Sequence, residues 1–244
     1  MTIHAISETI HPLGDSALVV YLGEGINPAI HEKVKHLGIL LENNPFPGFI
    51  EAVPSYNSLT VYYHPTAVCS FTTASKKKSP YQVAVDFVSE LLRKMGASHK
   101  TEQRLIDIPV AYGGEYGPDL GHVASYNGLS TEEVIHIHSS VEYLVYMIGF
   151  APGFPFMGGM DERIATSRKD SPRLSITPGS VGIAGKQTGI YPLETPGGWQ
   201  IIGRTPLDLF LPDDSPPTLL QSGDKVRFIP ISPEEFASYK EGKR

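Results

Sequence analysis

One segment, Gly149 to Pro206, constrains this chain more than any other. It contains 11 of the 24 glycines and 7 of the 21 prolines, yet it is also rich in Ile, Val and Phe and holds the single Trp. Such a segment is too apolar for a flexible linker. Glycine permits close backbone approach and positive φ, and proline stiffens turns. We therefore expect a packed surface made of turns, which is suited to a rigid binding pocket.

The composition bounds the class of protein. With 244 residues, 41% of them hydrophobic, the chain can bury a substantial core. A net charge of −6 argues against a nucleic-acid partner. The single cysteine, Cys69, rules out an internal disulfide and a cysteine-built zinc site. Because no stretch approaches the roughly 20 apolar residues of a membrane span and the N-terminus lacks a signal core, we expect a soluble, cytoplasmic protein with no membrane partner.

The first hundred residues predict a small α/β domain with the order β-α-β-β-α. Ser79 followed by Pro80 is typical of a helix start, and Gly96 of a helix end. The lysine run 76–78 lies in a polar stretch and is interpreted as a solvated loop. Apolar periodicity predicts strands at Leu18–Leu22, Phe49–Val53 and Leu59–Tyr63, and helices at Pro28–Leu41 and Pro80–Met95.

A second domain is predicted to follow a linker at 97–103, which gives domains at 1–98 and 104–244. Ser130 and Glu133 form a capping-box pattern at the start of one of its helices. No helix is expected after His138, because the rest alternates short apolar runs with Gly and Pro turns, as in a β-barrel or sandwich. The predicted elements are strands at Leu105–Ala111 and Lys225–Pro230 and helices at Pro118–Tyr126 and Thr131–His138.

Charge is distributed unevenly along the chain. The glycine-rich segment carries six basic and four acidic residues and is the net positive part of the sequence. Its cations Arg173, Lys186 and Arg204 favour a small anionic ligand such as a carboxylate or phosphate. The alternative is a set of scattered, solvated cations.

Several familiar catalytic signals can be rejected. In GSVGIAGKQT, five residues rather than four separate Gly179 from Gly185, and Gln187 stands where a P-loop needs Ser or Thr. His136 and His138 are two residues apart on a predicted helix, so they point to different faces and no metal site is expected. The glycine-rich segment has no His or Cys, which disfavours a local nucleophile pair.

What remains is a set of polar side chains that can bind and polarise an amide. Gln187, enclosed by glycines, is the preferred member, although it can equally stabilise a turn. Glu115 and Asp119 can alternatively cap the helix at Pro118, and Trp199 can be a core anchor beside a turn. The hydrogen-bond donors of the set are Arg173, Gln187, Thr188, Tyr191 and Arg204, and its acceptors or proton carriers are Glu115, Asp119 and Asp170.

Four long motifs resemble the allophanate hydrolase subunit 1 family over the whole chain. The resemblance implies an α+β fold, with a small α/β N-terminal domain followed by a cyclophilin-like β-barrel domain. The motifs are IPVAYGGEYGPDL (108–120), VYMIGFAPGFPFMGG (145–159), PRLSITPGSVGIAGKQTGIYPLETPGGWQIIGRTP (172–206) and GDKVRF (223–228).

Within that family the resemblance is to members that serve in prokaryotic ATP-dependent 5-oxoprolinase, which opens 5-oxo-L-proline to L-glutamate. It implies ATP and partners of the allophanate hydrolase subunit 2 and LamB/YcsF types. Because this chain has no phosphate loop, we expect the ATP site to lie partly or wholly on a partner subunit. For this reaction we hypothesise a role for each residue of the polar set. Arg173 or Arg204 would hold the substrate carboxylate with Tyr191 and Lys186 nearby, Gln187 and Thr188 would orient the amide, and Glu115 or Asp119 would handle a proton.

The resemblance also implies an alternative function of a different class, the inhibition of a sporulation sensor histidine kinase. This role needs no catalysis, and an apolar groove on the barrel would bind the kinase. The same side chains can instead belong to the barrel core or to the joint with a partner subunit. They are Phe150, Phe154, Phe156 and Met157.

Overall fold

Two compact units make up the described part of the chain, one within Met1–Glu102 and the other within Gln103–Arg244. The computed structural model describes residues 9–70, 78–95 and 103–241. The predicted helix end at Gly96, the predicted linker up to residue 102, and Lys76 and Lys77 of the lysine run lie outside the described residues. Among the residues that are described, none of the helices is long and apolar enough to span a bilayer.

The first unit packs helices on a four-stranded antiparallel sheet with the strand order β1-β2-β4-β3. The capping box predicted by Ser79 is present, since its hydroxyl accepts from Gln82 N and the Gln82 side chain accepts from Ser79 N. Two short elements, β1 and α2, were not predicted. The elements are β1 (Ile10–Pro12), β2 (Ala17–Tyr21), α1 (Pro28–Asn43), β3 (Phe49–Pro54), β4 (Ser58–Tyr63), α2 (Pro65–Ser70) and α3 (Pro80–Lys94).

The second unit is a closed seven-stranded barrel with the order β10-β7-β6-β13-β5-β12-β9. Strands β8 and β11 form a separate two-stranded ribbon. The strands are β5 (Leu105–Tyr112), β6 (Glu142–Ile148), β7 (Pro155–Gly158), β8 (Arg173–Ile176), β9 (Ser180–Ala184), β10 (Gln187–Ile190), β11 (Thr195–Gly197), β12 (Gln200–Arg204) and β13 (Lys225–Pro230), and the helices are α4 (Leu120–Asn127), α5 (Thr131–Ser139) and α6 (Pro233–Glu241), with a 3-10 turn at Glu162–Ile164.

The predicted α+β fold, with a small α/β domain before a β-barrel, is confirmed. One prediction about the barrel unit is wrong, because a helix, α6, follows His138. Ser232 starts it with a capping box, in which its hydroxyl accepts from Glu235 N and the Glu235 carboxylate accepts from Ser232 N. Pro233 at the first helical position also favours this start. The helix predicted from Pro118 begins two residues later, at Leu120.

Strand alternation decides which residues fill the barrel. On β9 and β10, Val181, Ile183 and Ile190 belong to the main core, to which β5, β6, β7, β12 and β13, the helices α4 and α5, and several loop residues also contribute. Residues between them on the strands, including Gly182 and Gly189, therefore face outward. A second, smaller apolar cluster packs on that outer face and includes Phe154, Tyr191 and Trp199.

Candidate functional site

The predicted polar residues do not converge on one point. Gln187 pairs with Ala184 at one end of β9, whereas Arg204 pairs with Ser180 at the other end. At the usual rise of about 3.3 Å per residue, the five-residue strand separates these ends by about 13 Å. The two side chains therefore start from opposite ends of β9.

Asp119 and Arg173 are brought together, but as partners of each other. Arg173 donates from Nη1 and Nη2 to the two carboxylate oxygens, both at 2.8 Å. Lys169 Nζ donates at 3.1 Å and Ile201 N at 2.7 Å. The carboxylate is 6% exposed, and it caps no helix N–H group. Arg173 therefore presents its bidentate face to Asp119 rather than to a substrate carboxylate.

The same contacts set the charge of Asp119. Burial alone would raise its pKa, but the hydrogen bonds from Arg173, Ile201 N–H and Lys169 outweigh burial and hold the pKa below its ordinary value. The group is ionised at neutral pH, and its acceptor positions are occupied. This environment argues against the proton-carrying role predicted for Asp119.

Thr188 lies inside the barrel, where no substrate on the outer face can reach it. It is fully buried, and its hydroxyl donates to Gly182 O at 3.1 Å and lies 3.0 Å from His138 Nε2. Because the hydroxyl has only one proton, Nε2 must carry the proton of that contact, and Nδ1 then accepts from Tyr112 Oη at 2.8 Å. Desolvation lowers the pKa of His138 to about 3, so the imidazole is neutral. The hydrogen-bonded side chains of Tyr112, His138 and Thr188 are therefore a structural part of the barrel interior.

The remaining predicted residues are dispersed. Lys186 forms an exposed ion pair with Glu162 at 2.6 Å. Glu115 and Asp170 are outside the buried core, and Gln187 is half-buried at the start of β10. The segment that superficially resembles a P-loop forms the hairpin of β9 and β10, so it has no helix N-terminus at which phosphates would be held.

Arg204 packs against two aromatic rings, Tyr116 and Phe236, which also contact each other. Its guanidinium is 4.8 Å from the centroid of Tyr116 and 5.2 Å from that of Phe236, which α6 supplies. Its Nε is buried without an acceptor, and the structure gives it no carboxylate partner among residues 9–70, 78–95 and 103–241. Arg204 is thus stacked on the barrel beside α6.

Five aromatic residues gather on the outer face of the barrel, and we call them the aromatic cluster. A Cβ at Gly189 would lie 2.9 Å from Phe154 and 3.0 Å from Trp199, so glycine lets these rings close onto the strand. Ring centroids are 5.2 Å apart for Phe154 and Tyr191 and 5.4 Å apart for Phe154 and Trp199. The members are Phe150, Phe154, Phe156, Tyr191 and Trp199.

Only Phe150 of the four predicted kinase contacts is strongly exposed. Phe154 and Met157 are buried, at 1% and 0% exposure, which does not agree with a role as surface contacts, and Phe156 is half-buried. Phe150 is 66% exposed and has φ of 70°, a left-handed conformation that is strained for a bulky residue. That conformation holds an exposed ring against Phe154 and Tyr191.

Arg168 is the cation of the aromatic cluster, and sequence reasoning missed it. Its guanidinium lies 5.9 Å from the Trp199 centroid. Burial raises the pKa of Tyr191, whereas the backbone N–H of Trp199 and the charges of Arg168 and Arg173 oppose that rise. In the part of the second unit that the structure describes, Arg168 and Arg204 stack on aromatic rings, whereas the other four arginines form ion pairs with aspartates. The ion pairs are Arg104–Asp224, Arg163–Asp161, Arg173–Asp119 and Arg227–Asp107.

The aromatic cluster and Arg168 together form the candidate site. Its walls are aromatic, one ring is open to solvent, and its cation has no carboxylate partner among the described residues. Such a surface can bind a small, flat, anionic molecule by stacking and by charge-assisted hydrogen bonds. Among the described residues, there is no group of three or more His, Cys, Asp or Glu side chains placed to hold a metal ion.

Comparison with known proteins identifies the family. Residues 8–220 match the carboxyltransferase domain, subdomain C and D. The chain is 52% identical over 232 residues to the B subunit of 5-oxoprolinase from Bacillus subtilis (strain 168), covering 95% of this chain and 96% of that one. It is 42% identical over 220 residues to the B subunit of 5-oxoprolinase from Escherichia coli O157:H7, covering 89% and 94%.

A solved structure shows the same fold in a longer chain. The crystal structure of TTHA0988 matches with a TM-score of 0.74 and 34% identity, over 88% of this chain. The chain spans only 40% of the length of TTHA0988. The chain therefore belongs to the carboxyltransferase domain family, subdomain C and D, in the branch that contains the B subunits of 5-oxoprolinase.

Proposed function

We propose that this chain is one subunit of an ATP-dependent 5-oxoprolinase, which opens 5-oxo-L-proline to L-glutamate. The observation that carries the proposal is the 52% identity to the B subunit of 5-oxoprolinase over 95% of this chain and 96% of the relative. Because that relative is named as a subunit, it supports a multi-subunit complex. The partners proposed from the family resemblance are proteins of the allophanate hydrolase subunit 2 and LamB/YcsF types.

The chemistry of the substrate fits the candidate site. 5-Oxoproline is a small, nearly flat lactam that carries one carboxylate. We infer that its ring packs against the exposed face of Phe150, while its carboxylate accepts hydrogen bonds from Arg168. Arg173 is paired with Asp119, and Arg204 packs against Tyr116 and Phe236. Arg168, which lies beside the aromatic cluster, is therefore the arginine best placed for this role.

The residues of this chain position the substrate rather than attack it. An unstrained lactam is a poor electrophile, and ATP supplies the phosphoryl group that activates its oxygen for attack by water. The described residues near the aromatic cluster offer donors and apolar walls, which hold the lactam in one orientation. Because the P-loop-like segment is a hairpin, we place the ATP site on a partner subunit.

Activity is expected only in the assembled complex. The measurement is 5-oxoproline-dependent release of phosphate from ATP by this chain alone, by its partners alone, and by all of them together. The proposal predicts a rate in the complete mixture that is at least about 100-fold above that of any part, since the reacting groups are divided among subunits. A complete complex that hydrolyses ATP no faster with 5-oxoproline than without it would refute the proposal.

Arg168→Ala is expected to raise the KM for 5-oxoproline about 10-fold or more, with little change in kcat. Loss of a charge-assisted hydrogen bond is worth about 1.5–3 kcal/mol, and a contact made equally in the ground and transition states appears in KM. Arg163→Ala is the matched control, because that arginine grips Asp161 at the surface. An unchanged KM for Arg168→Ala, or an equal rise in both variants, would remove Arg168 from the site.

Kinase inhibition stays a prediction, and fewer of its predicted contact residues are accessible to a partner than the sequence suggested. Of the side chains assigned to that contact, Phe150 is strongly exposed, whereas Phe154 and Met157 are in the core. A sensor histidine kinase that bound here would therefore contact the rim of the aromatic cluster rather than a groove lined by all four residues.

A further inference from the structure

The barrel unit itself shows which edge of an arginine binds a carboxylate. Arg104, Arg163 and Arg227 each donate from Nε and Nη2 to the carboxylate of one aspartate. These two nitrogens form a planar fork that matches the geometry of a carboxylate or phosphate. In Arg204 the Nε end of the same fork is buried and has no acceptor among the residues that the structure describes. A buried donor of this kind is uncommon and calls for a physical explanation.

The barrel holds Arg204 in a fixed place. Its backbone pairs with Ala111 on β5 and with Ser180 on β9. Its guanidinium is 4.8 Å from the centroid of Tyr116 and 5.2 Å from that of Phe236, and the two ring centroids are 4.7 Å apart. Packing on rings removes water from one side of the cation, which strengthens its attraction for an anion. Neither ring belongs to the aromatic cluster, so this arrangement is separate from the candidate site.

One of the two rings comes from α6, which has few buried side chains. Among residues Pro233–Tyr239, Phe236 is the one that is buried, at 4% exposure. Just before the helix, Ile231 N donates to Val110 O, which ties the chain to β5 outside the helix. An element that buries one side chain separates from the core at a lower cost in free energy than an element that buries several. The helix can therefore lift away from Arg204 while the chain stays attached at Ile231.

We propose that Arg204 is a second anion-binding site, for the carboxylate or phosphate group of a small molecule, and that α6 covers this site through Phe236. While Phe236 is in place, the Nε edge of the guanidinium is shielded. When α6 lifts, the fork donates two parallel hydrogen bonds to the oxyanion, and Tyr116 keeps the guanidinium stacked. Because only the open form binds, the apparent affinity is reduced by the fraction of molecules that are open. The site needs neither ATP nor 5-oxoproline and goes beyond the proposed function.

The test is a titration of the full chain with inorganic phosphate, followed by NMR of arginine Nε–H groups. The signal of Arg204 is identified by its absence in Arg204→Gln. Phe236→Ala removes the cover and is expected to bind phosphate at least about 10-fold more tightly than wild type, with a shift of the Arg204 signal. Tyr239→Ala is the matched control, because Tyr239 is an aromatic residue of the same helix that is 47% exposed, and it should bind as wild type does. A parallel titration with acetate distinguishes a carboxylate ligand from a phosphate.

A second variant keeps the test decisive if Phe236→Ala does not fold, which Trp199 fluorescence would reveal. Ser232→Ala removes the hydroxyl that caps α6 by accepting from Glu235 N and leaves both rings in place. It is expected to tighten binding about 3-fold by raising the open fraction. Tighter binding of either anion through Arg204 supports the proposal and identifies the group that the site takes. The proposal is overturned if neither anion shifts the Arg204 signal in the loosened variants, if these variants bind no more tightly than wild type, or if binding survives Arg204→Gln.

Discussion

Gly117→Ala is expected to lower the free energy of unfolding of the barrel unit by about 3 kcal/mol. A Cβ at this position would overlap the carbonyl of Ile202 and would lie 2.7 Å from Gly113 N. These are backbone atoms, so no side-chain rotation can relieve the clash. The turn must move instead, together with the neighbouring hydrogen bond from Asp119 N to Ile201 O.

A single tryptophan makes this effect measurable in the correct unit. Trp199 is the only tryptophan, and it is 5% exposed in the aromatic cluster of the barrel unit. Urea unfolding followed by its fluorescence therefore reports on that unit. Gly121→Ala is the control, because Gly121 lies in α4 and an added methyl group would meet no atom within 4 Å. Alanine there is expected to stabilise by about 0.5–1 kcal/mol, and a comparable loss in both variants would contradict the argument.

Local signals in the sequence were sufficient to predict most of the helices and strands of the fold. The capping box of Ser130 and Glu133 is present at the start of α5, because it depends only on residues three apart. Glycines and prolines indicated turns, and the barrel strands run between them. The same kind of signal, a Ser three residues before a Glu, stands at Ser232 and Glu235, where α6 begins.

The site was harder to predict, since its contacts join distant residues. Asp119 and Arg173 are 54 positions apart, and nothing local shows that they will pair. Thr188 shares a strand face with Ile190 and lies inside the barrel, but strand alternation in the sequence does not say which of the two faces is inward. Arg168 lies in a polar stretch typical of solvent-exposed loops, and only the fold brings it over Trp199.

Asp119→Asn is expected to destabilise the barrel unit by about 3 kcal/mol and to release the ribbon. Removing the charge leaves Arg173 and Lys169 facing a neutral amide, and breaking a buried pair from one side costs about 3–5 kcal/mol. The cations are 29% and 31% exposed, so we expect the lower end of that range. Trp199 fluorescence in urea measures the stability, and limited proteolysis between β8 and β11 measures release of the ribbon.

Acid provides a second, independent test of the same carboxylate. The pKa of Asp119 is lower in the folded protein than its ordinary value, so its contribution is fully present above the unfolded pKa of about 4. That contribution is lost as the pH falls through the folded pKa. The stability difference between wild type and Asp119→Asn should therefore be constant near neutral pH and shrink below about pH 4.

The control for the Asp119→Asn variant is Asp107→Asn, which removes the charge from another aspartate that forms an ion pair with an arginine in the same unit. Asp107 receives two hydrogen bonds from Arg227, but the two side chains are 50% and 46% exposed, and water screens such pairs. Asp107→Asn should change stability far less and leave the ribbon resistant to protease. If both variants lost the same stability, burial of the Asp119 carboxylate would not be the cause. If Asp119→Asn kept the ribbon intact, other contacts would hold it, such as Gly197 beside Tyr191 and Ile176 and the hydrogen bond from Lys169 N to Gly198 O.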